Sequence, residues 1–90
     1  MPDKIKNFRQ LDVWNKGKEV VKIVYEITSK FPDTEKFGLI SQMRRTAVSA
    51  PSNIAEGFNR IHDKEFKHFL YIALGSCAEL ETQIEISFEL

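Results

Sequence analysis

Ile40, Met43, Ala47, Ala50 and Ile54 recur at alternating steps of three and four. That spacing puts them on one stripe of an α-helix; a strand would alternate its apolar side chains in twos. Along one flank of the stripe run Gln42, Arg45, Ser49, Asn53, Glu56 and Arg60, again three or four apart, while Arg44 projects to the opposite flank. Stacked polar groups beside an apolar seam can bond one another or a partner. Two readings stay open: a solvated face with intrahelical pairs, or a partner-facing edge. Pro51 sits in the body of this helix. It lacks a backbone donor and crowds the carbonyl four residues back, which predicts a kink near Ala47. Ser49 and Ser52 are placed to bond the freed carbonyl or its neighbours.

The rest of the chain must supply partners for that helix. Ninety residues make one small domain, here taken as 1–90, with a thin core. Net charge is zero, with 13 basic and 13 acidic side chains, which argues against strong nonspecific nucleic-acid binding by the whole chain. The charge is unevenly placed. Residues 1–68 hold all 13 basic side chains against 9 acidic ones, a net +4, and residues 69–90 hold 4 acidic and no basic ones, a net −4. Cys77 is the single cysteine; it cannot form an intrachain disulfide or a multi-cysteine zinc site, and its place on an apolar stripe predicts a buried thiol. The N-terminus has no apolar signal core and no run is long enough to span a bilayer, so a cytoplasmic location is expected.

Residues 1–8 are polar and read as a frayed end. A first helix is expected over about 11–30, with one seam of Trp14, Val21, Tyr25 and Thr28 and an adjacent one of Val13, Val20, Val24, Ile27 and Phe31. The combined face is wide enough to touch two neighbours. Gly17 either weakens this helix or marks a close approach near Trp14. Pro32 breaks the chain; Asp33 or Thr34 is placed to cap a second helix over about 34–59, and Glu35 to favour its positive end. Gly57 permits a C-terminal cap or a tight approach. The short connection at Arg60–Asp63 forces an antiparallel neighbour, with Asp63 as the expected cap and His62 as the other candidate. The third helix is expected over about 63–88, with a core stripe of Phe66, Phe69, Leu70, Ala73, Cys77, Leu80 and Ile84. On its back, Gly75, Ala78 and Thr82 form a small-residue strip that suits an oligomer contact. Glu81, Glu85 and Glu89 repeat every four residues without a lysine, either tolerated in solvent or faced by Lys18 and Lys22 from another helix. The fold class is therefore all-α, an antiparallel up-and-down helical bundle.

Enzyme signatures are missing: no phosphate loop, no Gly-rich dinucleotide turn, no nucleophile elbow. Glu65 and His68 form one Glu-x-x-His pair, where di-metal bundles need two such pairs plus inward carboxylates. Arg60 and His68 lie on loosely related faces, without an acid–base partner. No metal, no cofactor, no small-molecule substrate and no catalytic residue is inferred.

These residues resemble the four-helix-bundle family encoded by intervening sequences in bacterial 23S ribosomal RNA genes, which is similar in fold to the accessory variability determinant protein of diversity-generating retroelements. The resemblance is carried by Leu11-x-Val13-Trp14, Tyr25 and Phe31-Pro32-x-x-Glu35-x-x-Gly38-Leu39, then by Ser41-Gln42-x-Arg44-Arg45-x-Ala47-x-Ser49-x-Pro51-Ser52-Asn53-Ile54-Ala55-Glu56-Gly57-x-x-Arg60. It closes with Lys64-Glu65-Phe66-x-x-Phe69-Leu70, Ala73-x-Gly75-Ser76 and Glu79-Leu80-Glu81-Thr82-Gln83. It implies a bundle of four antiparallel helices that assembles into a ring-like homo-oligomer, a pentamer. It also implies nucleic-acid association, because the retroelement relative works with a reverse transcriptase and RNA. The family pattern has a fourth helix after a short turn, and this sequence stops at Ile86-Ser87-Phe88-Glu89-Leu90; three helices of the pattern are expected, and self-association with them.

Two functions follow as expectations. One is a non-enzymatic oligomeric module that associates with RNA or DNA, or with a nucleic-acid enzyme, through Arg44, Arg45, Arg60 and Lys64, with Lys67 secondary. The other is an interaction module without nucleic acid, in which Gln42, Arg45, Ser49, Asn53 and Glu56 knit subunits together. The pairing of Arg45 and Glu56 discriminates between them.

Overall fold

The computed structural model describes residues 4–35 and 37–90. Three helices carry the fold: α1, Asp12–Thr28; α2, Leu39–Phe58; and α3, Asp63–Glu89. Short 3₁₀ turns at Phe8–Gln10 and Asp33–Glu35 precede α1 and α2. No strand occurs among the described residues. The arrangement is an all-α three-helix bundle, elongated at 50 × 20 × 18 Å.

Several local expectations need correction. The segment before α1 is built rather than frayed from Asn7 onward: the Asn7 side chain accepts from Arg9 N–H and Gln10 Oε1 accepts from Asn7 N–H, at 2.9 and 3.1 Å. Phe8 then sets its ring edge against Trp14, centroids 5.2 Å apart. Residues 1–3 of that segment lie outside the described residues. The second helix begins at Leu39, not near residue 34, because Asp33–Glu35 closes a separate 3₁₀ turn. Neither Asp33 nor Thr34 caps it; Gly38 holds the N-cap position, and Glu35 Oε1 accepts from Leu39 N–H at 3.3 Å. His62, not Asp63, is the N-cap residue of α3, with no side-chain cap bond. Asp63 instead lies in the first turn, where its charge suits the helix dipole.

The α2 stripe is the core. Ile40, Met43, Ala47, Ala50 and Ile54 are all buried, as the three–four spacing requires. Val24 of α1 and Leu80 of α3 close on Met43 and Ala47, with Val21, Phe31, Leu39 and Ile84 packed around them. Pro51 lies within α2 and is buried. A Cβ built on Gly17 of α1 would sit 3.3 Å from Pro51 Cβ, so Gly17 marks the close helix approach. Ser49 and Ser52 donate to the carbonyls of Thr46 and Val48, either side of the Ala47 carbonyl that the proline crowds.

α2 packs against both α1 and α3, whereas the backbones of α1 and α3 stay more than 8 Å apart and share only the side-chain core around Met43. In a square of helices that places α1 and α3 on a diagonal, with α2 at the corner between them and the opposite corner open. On α1, Val20 and Ile27 lie four residues before and three after buried Val24, Ile23 lies next to it, and all three are exposed. On α3, Cys77 and Phe88 lie at the same steps from Leu80 and Ile84 and are exposed too. The predicted burial of Cys77 is therefore wrong for this chain: its side of the stripe borders the open corner. The wide apolar face of α1 has one neighbour, α2, rather than two.

Candidate functional site

The five cations expected to act together are divided by the fold. Arg44 turns toward α1. Its Nε donates to Thr28 Oγ1 at 2.9 Å, an Nη reaches the Tyr25 carbonyl at 3.4 Å, and its guanidinium lies 4.4 Å from the Tyr25 ring centroid. Thr28 is fully buried, and its hydroxyl donates to the Val24 carbonyl at 2.7 Å. Arg44 thus supplies positive charge to the last turn of α1, which has no basic residue of its own. Arg60 pairs with Glu56 at 2.8 Å, both partly exposed, and its guanidinium lies 4.9 Å over Phe69. Arg45 is exposed and, among the described residues, makes no hydrogen bond or ion pair. Lys64 and Lys67 are exposed on the first turns of α3.

Arg45 and Glu56 do not pair with each other. Glu56 is used within the chain, Arg45 is not, so each of the two sequence readings gains one of the pair. The polar stripe of α2 is partly absorbed by α3. Ser49 and Ser76 hydroxyls bond across the interface at 2.7 Å, and Asn53 Nδ2 donates to the Ser49 carbonyl at 2.8 Å. Gln42 is exposed, and its carbonyl accepts from Thr46 Oγ1 at 2.8 Å. An open depression of about 590 Å³ lies along this edge, lined in part by Gln42, Arg45, Ser49 and Glu79.

Gly75, Ala78 and Thr82 are exposed, and a Cβ on Gly75 would meet nothing within 4 Å. Glu81, Glu85 and Glu89 are exposed as well. Lys18 does not face them; its Nζ lies 4.7 Å over the Trp14 ring. Glu65 and His68 are exposed, and no group of three or more metal-ligating side chains occurs among the described residues.

One buried polar link escapes a reading by residue type. Gln83 is 6% exposed, and its Nε2 donates to Thr46 Oγ1 at 3.1 Å. The Thr46 proton goes to the Gln42 carbonyl, so the amide must turn its NH₂ toward Thr46. That leaves Gln83 Oε1 buried without a donor among the described residues. The signal was positional: Gln83 stands three residues after Leu80 and seven after Ser76, on the side of α3 that faces α2. An unsatisfied buried acceptor costs about 1–3 kcal/mol, more than the single bond returns. Gln83→Met should therefore raise stability by about 1 kcal/mol, read as a higher urea midpoint by circular dichroism. A drop of that size would show that Oε1 meets a donor in solution.

The family profile for the 23S rRNA-intervening sequence protein matches residues 9–90. The chain belongs to that family. No curated protein matches it. The match spans all three helices. No helix among the described residues is long and apolar enough to cross a membrane.

Proposed function

We propose that this chain is a non-enzymatic helical module that self-associates and works with RNA, or with an enzyme acting on RNA, in the cytoplasm. The observation that carries the reading is the open corner: α1 and α3, their backbones more than 8 Å apart, each turn an exposed apolar flank toward it. Apolar patches of that kind favour association by about 25 cal/mol per Å² covered. A closed homo-oligomer, the pentamer of the family resemblance included, covers such flanks by repetition. Light scattering at micromolar concentration tests it. An oligomer is expected, and a monodisperse folded monomer of 10.4 kDa would refute the self-association.

RNA association is supported by the exposed Arg45, Lys64 and Lys67. Gel shifts with structured RNA should show binding that weakens steeply with salt; no binding at low ionic strength sinks it. The second reading, an interaction module without nucleic acid, is favoured by Arg44 and Arg60, whose guanidinium groups are held by Thr28, Tyr25, Glu56 and Phe69.

A further inference from the structure

A second depression, of about 510 Å³, lies on the outer side of the α1–α2 pair, away from the open corner. Its lining combines two aromatic rings, Tyr25 and Phe37, with two guanidinium groups, Arg44 and Arg45, and with Val48. Phe37 is 90% exposed and Tyr25 44% exposed. The volume is in the range of small-ligand clefts.

The two arginines are not equivalent. Arg44 lies over Tyr25, its guanidinium carbon 4.4 Å from the ring centroid, and is anchored on Thr28, so ring and guanidinium are held together as one platform. Arg45 is exposed and free to reach a phosphate. Lys22 stands one turn before Tyr25 on the same flank of α1, and Lys18 a further turn before it. Glu19 and Glu26 are exposed acids beside them on α1, and Glu79 stands beyond Arg45, lining the neighbouring depression. The local balance is therefore positive, on a chain whose net charge is zero.

We propose that this surface binds a single-stranded RNA segment, with an unstacked base against Phe37 and the Tyr25–Arg44 platform and a backbone phosphate on Arg45. The inference rests on the RNA reading given above and names its site and the form of RNA. The chemistry selects single strands. Aromatic faces take bases that are splayed out of a helix, and a duplex keeps its bases stacked and offers phosphates alone. Lys22 and Lys18 extend the positive track along α1 for the next phosphates.

Fluorescence anisotropy with a labelled oligouridylate of about twelve nucleotides, and with an RNA duplex of equal length, tests the site. Phe37→Ala should weaken single-strand binding roughly 5- to 100-fold while leaving duplex binding nearly unchanged. Arg45→Gln should weaken both and reduce the slope of log affinity against log salt by about one. Phe37 is almost wholly exposed, so the variant should keep the wild-type helical circular dichroism. Wild-type affinity in both variants overturns the site. If RNA binds but yields only to Lys64→Gln and Lys67→Gln, this site falls and the RNA reading stands; if the wild-type chain binds no RNA at low salt, both fall.

Discussion

Met43→Ala should lower the free energy of unfolding by about 2–5 kcal/mol. Met43 is 1% exposed and is the largest fully buried side chain. It sits where the three helices converge, with Val24, Ala47 and Leu80 around it. Truncation removes the transfer energy of the lost atoms and opens a cavity that neighbours as small as Ala47 and Val24 cannot fill. Chains of this size have about 5–13 kcal/mol in total, so the variant should be partly unfolded near physiological temperature. Urea unfolding followed by circular dichroism, at one fixed chain concentration, reads the effect. Met43→Leu is the control, expected to cost less than about 1.5 kcal/mol because volume is nearly conserved. A Met43→Ala midpoint within error of wild type would mean that the convergence point is not the core.

Gly57→Ala should cost about 2 kcal/mol net, against the usual gain of about 1 kcal/mol for that change in a helix. A Cβ at Gly57 would lie 2.5 Å from Phe69 Cβ and 3.1 Å from Phe66 Cδ1. The first of these atoms is rooted in the α3 backbone and cannot swing away, so α2 and α3 must separate. The same reasoning fixes the rescue. Phe69→Ala keeps its Cβ and should not restore Gly57→Ala, whereas Phe69→Gly should relieve the contact while weakening α3 by its own helix penalty. Gly75→Ala, with open space around its Cβ, should stabilise the isolated chain by about 0.5–1 kcal/mol. Thermal melts of the variants at one concentration decide it. A Gly57→Ala protein melting above wild type would show that the helices pack farther apart, and a Gly75→Ala protein melting below it would place a second helix against that strip.

The sequence by itself determined the helices and the inward face of the central one. Ile40, Met43, Ala47, Ala50 and Ile54 are buried because a period of three and four leaves them one direction to face. It also determined the family, since the spaced Arg, Ser, Pro and Gly positions are local patterns. What the tertiary structure alone decided is which flank of each helix has a neighbour. The period of α1 is satisfied equally by one neighbour or two, and only the diagonal placement of α1 and α3 leaves Val20, Ile23 and Ile27 exposed. Cys77 follows the same rule: its stripe is apolar, but its side of that stripe borders the open corner. Cation roles are likewise set in space. Arg44 and Arg45 are chain neighbours, yet about 100° of helical turn sends one onto Tyr25 and Thr28 of α1 and leaves the other in solvent. Sequence gives each side chain its angle about its own helix axis, and the packing of one axis against another decides whether that angle meets protein or water.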